Sequence, residues 1–251
     1  MPSKTLIAVK NLSTVVKDSE LENALPGFQK QVSNDFAATW GIDASLKLVG
    51  KHEKLSAGTY LLGVFDDADQ AGALGYHDLT KTGDPLGKVF ARTTINNHGL
   101  WTVTFSHELL EMLADPNINL CAFDEGERRL YAYEVCDAVE DDKLGYAIDA
   151  VTVSDFVLPG WFEPTHVAEG EKFAFHSKVS HPFQLLPGGY IGYFDLDGGG
   201  WQQLTAREPS DARQMTARSA GPTPYKARPR VGSRRERRRT PKNQWLASTA
   251  D

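Results

Sequence analysis

Residues 107–111 read His-Glu-Leu-Leu-Glu. On a helix, positions four apart stand one above the other on the same face. The imidazole of His107 and the carboxylate of Glu111 can therefore grip one metal ion, and both are ordinary Zn²⁺ donors. Glu108 lies beside His107 but is turned off the ligand pair, where it can serve as general base toward a metal-activated water. The chemistry these residues allow is metal-assisted hydrolysis, with Zn²⁺ as cofactor. The more familiar spacing is H-E-x-x-H; here Glu111 takes the place of the second histidine. The competing reading is a helix whose polar face merely carries these residue types.

A hydrolytic zinc needs a third protein ligand. Glu134 is the first choice, because it interrupts an otherwise apolar strand-like segment, where a buried carboxylate without a counterpart is expensive. Asp137 is second. Cys136 is third, since thiolate binds zinc well. Asp115 continues the helical face of Glu111 by one more turn and suits an outer-ligand or capping role. His77 and His98 precede the motif and could reach it, but each is read as an ordinary surface or core histidine.

The elements that must position these groups follow from periodicity. Thr5–Lys10 reads as a strand, Asp18 as a helix cap, and Pro26 as an interruption of the helical pattern. Phe28, Val32, Phe36 and Trp40 recur every four residues and define a core-facing helix that ends at Gly41. Leu46–Val49 and Tyr60–Phe65 read as strands. Leu74–His77 and Val89–Thr94 flank the turn-rich Thr82-Gly83-Asp84-Pro85, as a hairpin or a longer loop. Trp101–Ala114 is the clearest helix, with Trp101, Phe105 and Leu109 on one face and Asp115-Pro116 as its stop. Arg129–Cys136 and Ala150–Val157 read as further strands. Asp195–Gly200 reads as a turn, and Asp137, Glu140, Asp141 and Asp142 as a solvated acidic loop. The fold class expected is α/β (α+β).

The run Thr102–Glu111 resembles the active-site helix of the zincin metallopeptidases, in a variant with glutamate as second ligand. Extended through Met112–Pro116 and the later Tyr133–Asp137, it is also similar to a group of bacterial and phage proteins. The resemblance covers about residues 70–160. It implies a mixed sheet before the helix, an edge strand lying along a bound peptide (Val89–Thr94 by this analogy), and a peptide or protein substrate. The 23-residue separation of Glu134 from Glu111 resembles that of zincins whose third ligand is a downstream glutamate. The longer H-E-x-x-H-x-x-G-x-x-H pattern is not met, since position 117 is Asn117.

Composition sets the frame. The chain has 251 residues, 41% hydrophobic, enough for one packed domain, read as residues 1–205. Residues 206–251 hold 12 Lys/Arg against 4 Asp/Glu and five prolines, a net of +8 within a chain of −6. They read as a flexible or partner-bound basic tail, whose Arg234–Arg239 cluster suits nucleic acid or an acidic protein face. Two cysteines, Cys121 and Cys136, fit thiols better than a disulfide framework. The apolar run Leu6–Val9 is too short for a signal-peptide core and no transmembrane run occurs, so the expected location is cytoplasmic, or a virion or other assembly, without membrane contact. P-loop, G-x-G-x-x-G and G-x-S-x-G patterns are missing, which leaves nucleotide enzymes and serine hydrolases without support. The competing function is a non-catalytic, metal-stabilised component of a phage particle or other large assembly.

Overall fold

A computed structural model describes residues 4–163 and 171–206. The basic segment from position 207 onward lies outside the described residues. The first half of the chain builds a five-stranded sheet from β1 (Thr5–Asn11), β2 (Ala44–Val49), β3 (Tyr60–Phe65), β4 (Gly75–Leu79) and β5 (Pro85–Phe90), in the order β2-β1-β3-β5-β4. Neighbouring strands are parallel except β4, which runs antiparallel to β5 at the edge. Ile7, Ala8 and Val9 of β1 are buried in succession, the pattern of a central strand covered on both faces.

Between β1 and β2 the chain runs through α1 (Asp18–Lys30), a wide helical turn at Gln31–Phe36, and α2 (Ala37–Trp40), closing on Gly41 at φ 69°. Pro26 does not interrupt this helix, contrary to its sequence signal. Leu21 and Ala24 before it and Phe28 after it are all buried, and that packing outweighs the roughly 3 kcal/mol a helix-interior proline costs. The cap is Lys17 rather than Asp18: its N–H donates to Glu20 Oε2 at 2.8 Å. The core-facing residues behave as the spacing predicts, with Phe28 stacked on Phe105 at 4.2 Å and Phe36 on Trp40 at 5.7 Å.

After β5 come α3 (Ala91–Asn96) and α4 (Trp101–Ala114), whose bounds match the sequence expectation. The segment expected as an edge strand, Val89–Thr94, is therefore divided: Val89 and Phe90 end β5 inside the sheet, and the rest is helical. The true edge is β4. The cause is the hairpin at Thr80–Asp84, which folds β4 back outside β5. Helix α4 is buried from Val103 to Ala114, because it packs on β4 and β5 and on a later strand, β9 (Val151–Val153).

The second half forms an antiparallel sheet from β6 (Cys121–Asp124), β7 (Arg129–Ala132), β10 (Tyr190–Asp195) and β11 (Trp201–Thr205), in the order β11-β10-β7-β6. A small hairpin joins β8 (Tyr146–Ile148) to β9 (Val151–Val153). Ser106 Oγ accepts from Ser154 N–H at 2.6 Å and ties α4 to the end of that hairpin. Two strands are shorter than periodicity suggested. β7 stops at Ala132, where its partner β6 begins at Cys121. Beyond Val153 the backbone is fixed by Asp155, which accepts from the N–H groups of Phe156, His176 and Ser177 at 2.7–2.9 Å. Asp195 closes its turn by accepting from Asp197 and Gly198, as expected of that loop. Of the two cysteines, Cys121 is exposed and Cys136 buried. No helix among the described residues is long and apolar enough to cross a membrane.

Candidate metal centre

Helix α4 turns His107, Glu108 and Glu111 inward, and each is less than 9% exposed. The loop after β7 supplies the groups opposite. Glu134 N–H bonds back to Ala132 O at 3.0 Å, so the chain leaves the sheet there, and Cys136 N–H donates to Glu111 Oε1 at 3.2 Å instead of to a neighbouring strand. That turn swings Asp137 under α4, where its Oδ1 lies 3.2 Å from His107 Nε2. Glu111 Oε1 lies 3.3 Å from the same nitrogen. Donors around a tetrahedral Zn²⁺ with bonds of about 2.0 Å stand about 3.3 Å apart. Charge-assisted hydrogen bonds are shorter, about 2.7–2.9 Å. The two separations at His107 Nε2 are compatible with ligands around a cation, and the three groups could hold one.

The sequence-stated groups divide as follows. His107, Glu111 and Asp137 have donor atoms that all fall within 4.8 Å of one another, and so do His77, Glu108 and Glu111. Glu134, the first choice for third ligand, is buried but stands beside His77, with its Oε2 3.7 Å from His77 Nε2. The strand ends at Ala132, before Glu134, and Asp137 rather than Glu134 joins the group at His107. Cys136 is buried alongside, in neither group. Asp115 caps the turn after α4, accepting from Asn119 and Leu120 N–H at 3.0 and 3.1 Å. His98 is exposed, as a surface histidine should be.

His77 is the residue sequence reasoning undervalued. It sits on edge strand β4 at 6% exposure, with Nδ1 3.4 Å from Glu111 Oε2 and 3.6 Å from Glu108 Oε2. Two glycines near it carry the signal that could have been read, because glycine within a strand marks close approach by another element. Gly87 pairs with His77 across the hairpin. Gly75 faces Glu108 so closely that a Cβ there would lie 2.7 Å from Glu108 Oε1 and 2.9 Å from Lys88 O. Gly75→Ala is expected to cost about 1–3 kcal/mol by overpacking and to shift the Glu108 carboxylate. Gly50→Ala meets nothing within 4 Å and should leave the protein unchanged. Thermal melting of the two variants checks the contrast.

Of the acidic residues expected in a solvated loop, Asp137 is buried, whereas Glu140, Asp141 and Asp142 are half-buried. Asp142 accepts from Leu100 N–H at 2.7 Å, at the start of α4. Burial, with the charge of Glu111 next, pushes Asp137 up to about 6, and burial together with Asp137 pushes Glu140 up to about 8. Burial works against a charged His107, but Glu111 and Asp137 outweigh it and hold the imidazole well above its ordinary value. Burial, then the charges of Asp137 and the neighbouring carboxylates, raise Tyr190. Protons are thus drawn into the space that a cation would neutralise.

These positions predict an order of effects. Asp137→Ala should weaken Zn²⁺ binding more than Glu134→Ala does, because Asp137 offers a donor atom directly. Glu134 belongs to neither group of converging donor atoms, so its loss should cost no more than the roughly 10–100-fold typical of a residue beyond the ligands. Competition with a chromophoric chelator measures both; the opposite order would restore Glu134 as third ligand.

In comparisons with known proteins, no family model matches the chain, and no curated protein or solved structure matches it either.

Proposed function

We propose that the protein is a zinc-dependent hydrolase that cleaves peptide bonds, with His107, Glu111 and Asp137 holding the metal. The observation that carries this reading is the convergence of one imidazole and two carboxylates, all buried, at the donor spacing of a zinc site. A bound Zn²⁺ supplies Lewis acidity, polarising the scissile carbonyl and making a nearby water more acidic.

The chain's own groups do the rest. Glu108 is one residue from His107 and only 5% exposed, and its Oε2 has no hydrogen-bond partner among the described residues. That oxygen is free to take a proton from the attacking water. The water oxygen bonds to the carbonyl carbon, the C–N bond breaks, and the proton passes from Glu108 to the leaving amine. Strand β4 is the sheet edge nearest these groups, and an extended peptide can pair along such an edge. The resemblance of Thr102–Glu111 to the zincin helix supports the same reaction class.

Metal removal tests the proposal. Protein dialysed against a chelator should lose cleavage of an unfolded protein substrate and regain it on addition of about one equivalent of Zn²⁺. Cleavage at the same rate without metal would overturn it.

A further inference from the structure

We infer that this centre holds two divalent cations side by side, with the Glu111 carboxylate as the bridge between them. The inference rests on the reading that His107, Glu111 and Asp137 bind a metal, and adds a second site made by His77 and Glu108.

The two oxygens of Glu111 face opposite ways. Oε1 is 3.3 Å from His107 Nε2, and Oε2 is 3.4 Å from His77 Nδ1. Each oxygen thus belongs to a different trio. Each trio consists of one imidazole, one carboxylate of its own (Asp137 or Glu108) and one oxygen of Glu111. The donor sets are chemically equivalent, and what qualifies the first as a cation site qualifies the second. The 3.4 and 3.6 Å separations around His77 Nδ1 again exceed charge-assisted hydrogen bonds and approach the donor spacing of a metal site.

Independent support comes from an orphaned atom. Glu108 Oε2 is buried, points at His77 Nδ1, and has no hydrogen-bond partner among the described residues. A buried carboxylate oxygen left in that condition is costly, and a cation between it and His77 removes the cost. His77 is also turned suitably. Its Nδ1 faces the carboxylates of Glu108 and Glu111, while its Nε2 lies on the far side, 3.7 Å from Glu134 Oε2, a separation too long for a hydrogen bond.

Charge gives the same count. The two trios together contain three carboxylates, Glu108, Glu111 and Asp137. One divalent cation leaves these three net negative in a buried site. A second cation removes that negative charge. Carboxylate-bridged pairs of this kind hold their metals about 3.5–4 Å apart. A cation in the second site engages the same oxygen of Glu108 that otherwise takes up the proton, so its presence bears on the reaction as well as on the fold.

Equilibrium dialysis of the full chain against Zn²⁺, followed by metal analysis, tests this. Zinc that survives Glu111→Ala is background from other histidines and thiols, and the Glu111-dependent zinc is the quantity of interest. It should be two equivalents in the parent and one in His77→Ala and in His107→Ala. Glu108→Gln should also hold one, and supplies the answer if His77→Ala does not fold, as judged by circular dichroism. One Glu111-dependent equivalent in the parent, lost in His107→Ala and kept in His77→Ala, would overturn the bridge and leave the single-metal reading standing. No Glu111-dependent zinc at all would overturn both.

Discussion

Glu111→Ala is expected to bind Zn²⁺ about 100- to 1,000-fold more weakly than the parent. Buried zinc sites contribute about 10–16 kcal/mol of binding free energy, or about 3 kcal/mol per ligand, and each 1.4 kcal/mol is a factor of ten. Glu111 is the group on which the centre depends most, because its two oxygens face His107 and His77 separately. It also accepts the Cys136 N–H at 3.2 Å, which holds the Asp137 loop under α4. Glu111→Gln keeps an acceptor for that N–H while removing the charge, so it should fold like the parent and still bind zinc poorly. Isothermal titration of both variants separates the ligand from the loop anchor. Parent-like affinity in Glu111→Gln would mean that the carboxylate is not a ligand.

Glu108→Gln is expected to lower kcat by about 100- to 10,000-fold, the usual worth of a positioned general base. It should leave the cation at His107, Glu111 and Asp137 in place. The amide has almost the same shape as the carboxylate and fits against Gly75 equally well, but it cannot accept the water's proton. Rate and metal content measured on the same sample make the distinction. Because His77→Ala also loses the cation beside Glu108, a Glu108→Gln rate well below that of His77→Ala assigns the base, whereas a variant as fast as the parent would move that role to another carboxylate.

Much of this centre was legible before any coordinates, and what was hidden has identifiable causes. Helix α4 announces itself through Trp101, Phe105 and Leu109 on one face and the Asp115-Pro116 stop, and its motif places three site residues by local geometry alone. The parallel strands follow from short apolar runs. His77 was hidden because its membership depends on a tertiary event: the β4–β5 hairpin carries it across to α4, 30 positions further along the chain. Glu134 stands out in the sequence because it interrupts an apolar, strand-like run, while Asp137, whose donor the structure brings to His107, follows the end of that run. What ends the strand is the lack of a ladder partner beyond Cys121, which the sequence of this segment does not encode. Pro26 misled for a related reason, since local propensity was outweighed by the burial of Leu21, Ala24 and Phe28.

The most direct test of the metal centre is an anomalous difference map, recorded at the zinc absorption edge, from crystals of the zinc-loaded protein. It should show a peak between His107 Nε2, Glu111 Oε1 and Asp137 Oδ1, the atoms now separated by 3.2 and 3.3 Å at His107. A map with no peak among these three atoms, at zinc concentrations that saturate the protein in solution, would contradict the account.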